Sequence, residues 1–515
     1  MTPTTAKKAT TSKQAAPQAS ALAELENHVA EIRDLEHSRA TLSWDQEVMM
    51  PSGGAELRAR SLATLTKLIH ERWSDPRVVR LVKQLQKAEG LKPRERRAVE
   101  LCARNVREAT LLPTELATEI ALTKSRALES WKHARATDDF KHFAPLLEKT
   151  VDLAREQARI LAGKRGNLYD ALIDHYEPDG TSAQFDVVLG ELKDVTVPLV
   201  EQVVRSKSKV SPKLLTKSYP VEAQRTFVRE IVTSMGIDLD RGRLDLSTHP
   251  FCGGVGPGDV RMTGRYQAKD LRPGLYGAIH EAGHGLYEQG LDPKRARHPL
   301  GGAISMAIHE SQSRLWENLV GRSRAFWKHF LPKARRAFGT TLKGVKLDDI
   351  WRASNAMGPS MIRVEADELT YNLHIILRYE IERELISGEL EVRDLPERWN
   401  SGMRDTLGLV PRTHSEGCLQ DIHWAMGAFG YFPTYSLGNL YASQFMEAAM
   451  KDMPELDEQI ARGELLPLRD WLADKVHRHD RIYTADALVK RVTKRPLSVD
   501  PFARHITAKV EQLYG

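Results

Sequence analysis

The chain has 515 residues, 41% hydrophobic and 28% charged, with 75 Lys and Arg against 69 Asp and Glu for a net charge of +6. Those proportions describe an ordinary globular protein, long enough for two or three domains or one large helical body. A small basic excess with both signs interspersed argues against a nucleic-acid-binding face, and no stretch has the length of an uncharged membrane span.

Residues 1–20 carry three lysines, no acid and no aromatic, and lack the apolar run of a secretory signal. They read as a disordered tail, with residues 21–515 forming a single catalytic domain. Cys102, Cys252 and Cys418 are odd in number and far apart, as expected of reduced thiols in a cytoplasmic protein. From Glu24 to about Gly163 the pattern is helical, with Leu22, Leu25, Val29 and Ile32 recurring at three and four. Trp44, Asp45 and Gln46, beside the break at Pro51-Ser52-Gly53-Gly54, are marked as candidates for a groove wall, with core packing the competing role. Around residues 236–266 polar and apolar residues alternate, and RLDLSTH and DVRMTGR read as two short antiparallel strands with Gly-rich turns between them. Asp259, Arg261 and Thr263 share one strand face and are candidate substrate-binding residues, since an exposed strand edge can hold an extended peptide. The plainer reading of these three is the solvated face of a hairpin.

The next helix carries the chemistry. Asp270 suits its N-cap, Pro273 its first turn and Gly290 its stop. Within it, His280-Glu281-Ala282-Gly283-His284 sets two imidazoles four apart on one face, where both can ligate a single zinc ion. Glu281 lies about 100° round the helix, placed to act as the general base of a hydrolase rather than as a ligand. A longer motif requiring Gly at 287 and His at 290 is excluded by Tyr287 and Gly290. Glu288 lies about 12 Å from His280 along the axis, too far for both to reach one ion. In the following helical run, Glu310 is the expected third ligand of a His2Glu set with an open fourth position. Glu317 is the competing ligand and His309 a lesser one, and Glu310 could instead simply pair with Arg314 at i+4. On this reading, loss of Glu310 strips the metal and loss of Glu317 does not.

Ser360 to about Gly388 reads as one long helix carrying Arg363, Glu365, Asp367 and Glu368, with Arg363 and Asp367 as i,i+4 partners. The stretch GCLQDIHWAMGAFGYFPTYSLGNLY embeds Gln420, Asp421 and His423 among apolar residues, so these side chains need partners. His423 and Tyr435 are candidate donors to the oxyanion of a tetrahedral intermediate, with Tyr431 competing with Tyr435.

Taken together, these blocks resemble the carboxypeptidase Taq family of zinc-dependent metallocarboxypeptidases. SWDQEVMMP from Ser43, YDALIDHYEP from Tyr169, HPF at His249, DVRMT at Asp259 and the HExxH motif carry the likeness, followed by HESQSRLWEN from His309, IRVEAD from Ile362 and GCLQDIHW from Gly417. Cys252, directly after HPF, departs from it where a small hydroxyl or glycine is expected. The implied fold is mainly α and gluzincin-like: a large helical body with a deep substrate groove and a small antiparallel β element beside the zinc helix. The implied activity is broad-specificity removal of C-terminal residues from peptides with a free C-terminus by a homodimer, with one zinc ion that cobalt can replace. Neither nucleic acid nor a membrane is an expected partner. The resemblance singles out the Arg and Asp of IRVEAD, which makes Arg363 the first candidate to grip the terminal carboxylate, with Arg261 and Arg412 in reserve. A zinc oligopeptidase acting on short peptides is the alternative; it would lack such an arginine.

Overall fold

Leu25, Val29 and Ile32 line one face of α1 (Ala6–Val48) and are buried, as their spacing dictates. The computed structural model describes residues 6–515, with side chains described from residue 19 on except that of Arg165. Of the expected tail, residues 1–5 lie outside the described residues, and the backbone is helical from Ala6. With α2 (Ala55–Trp73), α3 (Pro76–Gln86) and α4 (Pro93–Leu111), α1 builds an N-terminal lobe. Its core of Ile32, Trp73, Leu85, Val99 and neighbours is separate from that of the main body.

The body begins with α5 (Thr114–Thr137), α6 (Phe140–Ala162), α7 (Leu168–Ile173), α8 (Ser182–Arg205) and α9 (Val221–Met235). The sheet follows: β1 (Gly242–Leu246), β2 (Cys252–Gly256) and β3 (Asp259–Gly264), ordered β1-β3-β2. Here the expected pairing is corrected. The two strands foreseen, β1 and β3, run parallel, and the antiparallel partner of β3 is β2. The glycines of β2 carry no alternating side chains, so no strand pattern marks it in the sequence. Gly254 is there for close approach: at φ +148 a Cβ would fall 2.1 Å from the Asp259 carbonyl oxygen, beside a register shift in the ladder.

The metal-motif helix is α10 (Arg272–Gly290), with Pro273 in its first turn and the Asp270 carboxylate accepting from the Arg272 N–H at 2.9 Å. It is followed by α11 (Met306–Arg314), which runs into a π-helical turn over Leu315–Val320. After α12 (Arg324–Phe338) and α13 (Leu347–Ser354), the single helix expected from Ser360 does not form. Only a 3-10 turn spans Arg363–Glu365, and α14 (Tyr371–Ser387) starts later. The cause is Asp367, whose carboxylate accepts from the N–H groups of Gly358, Leu369 and Thr370 and so competes with helix continuation. The chain closes with α15 (Leu395–Leu407), α16 (Pro433–Asp452), α17 (Leu456–Arg462), α18 (Leu466–Lys475), α19 (Ala485–Thr493) and α20 (Asp500–Tyr514). The fold is mainly α with one small mixed sheet packed on α10. Among the described residues, no helix is long and apolar enough to cross a membrane.

Candidate metal centre and active site

Two glycines let three helices converge. A Cβ at Gly283 of α10 would lie 2.6 Å from the Gln312 carbonyl oxygen on α11, and one at Gly438 of α16 would lie 2.6 Å from Cγ of Glu310. Glu310 is thereby pressed between α10 and α16. Its Oε2 stands 3.5 Å from His280 Nε2 and 3.4 Å from His284 Nε2. These three residues are the one His/Cys/Asp/Glu group among the described residues able to offer ligand atoms within 4.8 Å of one another.

The surroundings suit a cation. Burial, with His309 nearby, lowers the pKa of His284 to about 3, so its imidazole is neutral, the form that binds metal. Burial would raise the Glu310 carboxyl, but Arg314, His280 and His284 outweigh it and hold it ionised, well below the usual range. Two imidazoles and one carboxylate are the donor set of a His2Glu zinc site, so the residues present fit a divalent ion.

Behind these three side chains lies a support that the sequence reading cast differently. Glu317, foreseen as a competing ligand, accepts from His280 Nδ1 at 2.9 Å and pairs with Arg314 and Arg322. Arg314 donates to Glu310 Oε1 at 2.7 Å and lies over the Tyr371 ring. The foreseen Glu310–Arg314 pair therefore exists alongside the ligand geometry. Glu310, Arg314 and Glu317 recur at four and three, a spacing that could have revealed this column. His309 is not in the ligand group: it stacks on His284 and bonds Glu288 at 2.8 Å.

Glu281 is buried beside the cluster, and burial, with the Glu310 charge adding to it, raises its pKa to about 7. A carboxyl so tuned can both take and return a proton near neutrality. β2 borders the same place: burial and the charges of Glu281 and Glu288 push the Cys252 thiol well up.

A second cluster of aromatic and charged residues faces the centre. Tyr435 OH lies 3.4 Å from His423 Nε2, and the Tyr431 ring packs against both residues and against Tyr176. Burial, with the charge of Glu310 contributing, raises both phenols, Tyr431 to about 12, and leaves them as protonated donors. Arg363 is buried 5.3 Å from the Tyr435 ring. Its partner is not Asp367 but Asp421, which accepts from Nε at 3.0 Å and Nη2 at 2.7 Å, while Nη1 donates to Tyr371 OH. Arg378 holds the other oxygen of Asp421 at 2.6 Å. Gln420 finds the partners expected for it in the Arg363 N–H and the Met361 and Glu416 carbonyls.

The remaining candidates stand apart from this cluster. Asp259 and Arg261 pair with each other through two bonds of 2.8 Å. Arg261 and its cross-strand neighbour Arg243 both cover Trp44, which ties α1 to the sheet. Thr263 is fully buried, its hydroxyl engaged by Ser247 Oγ and the Phe251 N–H, so it presents no surface to a peptide. Arg412 is exposed, its own N–H donating to Glu416.

Against known proteins, the family model described as carboxypeptidase Taq (M32) metallopeptidase matches residues 24–510. The chain is 43% identical to thermostable carboxypeptidase 1 of Thermus thermophilus over 491 residues, covering 92% of this chain and 95% of that protein. It is 39% identical to carboxypeptidase 1 of Bacillus subtilis over 476 residues, with the same coverage of each. Among solved structures, an M32 carboxypeptidase from Deinococcus radiodurans superposes with a TM-score of 0.93 at 38% identity, covering 96% of this chain and 100% of that one. Metallocarboxypeptidase 1 of Trypanosoma cruzi gives 0.91 at 33% identity, covering 96% and 99%. These likenesses favour a carboxypeptidase over the oligopeptidase alternative.

Proposed function

Since the chain belongs to the carboxypeptidase Taq (M32) metallopeptidase family and is a metallocarboxypeptidase, we propose that it works with zinc held by His280, His284 and Glu310. The observation that carries this reading is the convergence of both Nε2 atoms on one Glu310 oxygen. A divalent ion there supplies Lewis acidity toward a water molecule and a peptide carbonyl. Glu281 takes the proton of the attacking water on its carboxylate and returns it to the leaving amine. Tyr435 OH or His423 Nε2 donates to the oxyanion, with Tyr431 beside them. β2, an edge strand next to Glu281, pairs with the main chain of an extended peptide.

Arg363 receives the terminal carboxylate. Three of its five N–H groups are bound to Asp421 and Tyr371, which leaves two for a ligand. Arg261, occupied with Asp259 and Trp44, and Arg412 on the surface are the reserves. The protein is a cytoplasmic homodimer, in keeping with its three unpaired cysteines and with the resemblance of its sequence.

The test compares free-acid peptides with their C-terminally amidated counterparts on enzyme reconstituted with zinc or with cobalt. One-residue release confined to free acids, highest with zinc, is the expected result. Equal cleavage of amides removes the role given to Arg363, and activity with cobalt alone removes zinc. Sedimentation at working concentration checks the dimer.

A further inference from the structure

Outside this site, Arg481 carries a half-buried guanidinium without an acid partner among the described residues. Arg481 follows Asp480, which Arg295 fastens at 2.6 Å. Its main chain is held on both sides: the N–H donates to the Leu300 carbonyl at 2.9 Å, and the carbonyl accepts from Arg97 Nε at 3.3 Å. Its guanidinium pairs with no carboxylate or carbonyl among the described residues. Burial, and then the repulsion of Arg33, Arg97 and Arg104, pulls its pKa down to about 10. Those neighbours have their own counter-charges: Glu36 for Arg33, Glu100 for Arg97, Asp174 and Asp179 for Arg104.

Arg481 lines an open cleft of ≈ 840 Å³ bounded by residues of α4, α6 and α7, and Arg104 and Arg107 line it too. Arg107 spends one N–H on the Leu161 carbonyl and has no acid partner among the described residues. The acids that line the cleft are paired with groups other than Arg481 and Arg107: Glu108 with His175, Asp170 with the Ser182 N–H, Asp174 and Asp179 with Arg104. An uncompensated charge in a partly dry place is costly, and a cleft of this size has small-molecule dimensions.

We propose that this cleft binds a small molecule bearing an oxyanion, its phosphate or carboxylate group seated on Arg481 with Arg107 as the second cation. A guanidinium fork takes either group in two parallel bonds. The anion would sit between α4 of the N-terminal lobe and the turn that carries Arg481, and would offset the repulsion that Arg481 meets from its neighbouring arginines.

The full-length holoenzyme is titrated by calorimetry with inorganic phosphate and, separately, with succinate, at ionic strength matched with sodium chloride. One-to-one binding at about 0.1–1 mM is expected for at least one of them. Phosphate alone identifies a phosphate site, and succinate alone a carboxylate site. Arg481→Gln keeps both main-chain bonds and should weaken binding by about tenfold or more. The same change should raise the melting temperature of the ligand-free protein, since a half-buried charge repelled by its neighbours is gone. Binding of neither anion, or undiminished affinity in Arg481→Gln, overturns the proposal. Arg107→Gln is the companion variant should Arg481→Gln fail to fold, and undiminished affinity in it overturns the proposal equally.

Discussion

Glu281 and Glu310 are both buried carboxyls within one cluster, yet their neighbours set them to different tasks. Glu310 has Arg314 on one oxygen and two imidazoles on the other, so it stays ionised; Glu281 has no such partner and its pKa rises to about 7. Glu281→Gln should therefore retain its metal and lose about 10²–10⁴-fold in kcat. Full metal content with unimpaired turnover would remove Glu281 as the base. For the ligands, Glu310→Ala should emerge from dialysis nearly metal-free. Glu317→Ala, which the sequence alone marks as harmless to metal binding, should instead weaken affinity by about 10–100-fold, because Glu317 orients the imidazole of His280. Competition against a graded chelator reads both, and equal affinity in Glu317→Ala and the parent would make that contact incidental. At this scale the legible part was the local part. A repeat of four on a helix fixes which side chains meet, so His280, His284 and Glu281 could be placed from spacing. The partner of Arg363 could not be read from sequence, because Asp421 is 58 positions away and no helix spans residues 363–367 to bring Asp367 round.

Helices carry these residues to one point only because glycines remove the atoms that would keep them apart. Gly438 lies inside α16, where a glycine costs about 1 kcal/mol relative to alanine in helix propensity. It is tolerated because Glu310 fills the space its side chain would need. Gly438→Ala should thus raise helix propensity yet lower stability by about 1–3 kcal/mol through overpacking, and displace Glu310 enough to weaken metal binding. Melting curves and chelator competition check the two effects together; a more stable variant with parent affinity would mean that Glu310 can yield without leaving its post. The same physics explains what was illegible at the level of elements. β2 is glycine-rich and shows no alternation, so the sequence pattern marks one strand too few and the wrong direction of pairing. The helix foreseen from Ser360 failed on a side chain, since the Asp367 carboxylate offers the backbone nearer partners than the helix does. Helices with unbroken apolar stripes, such as the one through Leu25, Val29 and Ile32, fell where their periodicity put them.

Across the whole molecule, the C-terminal helix is tied to the active-site motif by one buried acid. Glu368 directly follows the Asp367 that ends IRVEAD, and its carboxylate meets His505 at 2.8 Å and Lys509 at 2.5 Å, both on α20. Burial would raise this carboxyl, but Lys509 and then His505 overcome it and hold the group well below the usual carboxylate range. A depressed pKa in the folded state contributes stability that is fully present above the unfolded value, about 4.3 for Glu, and is lost as pH falls toward the folded one. Glu368→Gln removes the charge and leaves Lys509, itself largely buried, without a counter-ion. At pH 7 the cost should be about 3–5 kcal/mol, the typical price of breaking a buried pair on one side. Below about pH 4 the unfolded parent takes up a proton that the folded carboxylate still refuses, so the pair contributes less to stability and the gap between parent and variant should narrow. Urea midpoints at pH 7 and pH 3.5, both on metal-free protein so that loss of the ion does not enter, measure the two gaps. A gap that stays constant across this range would mean that α20 is held by its apolar face, through Phe502, Ile506 and Val510, and that the acid clamp adds nothing to it.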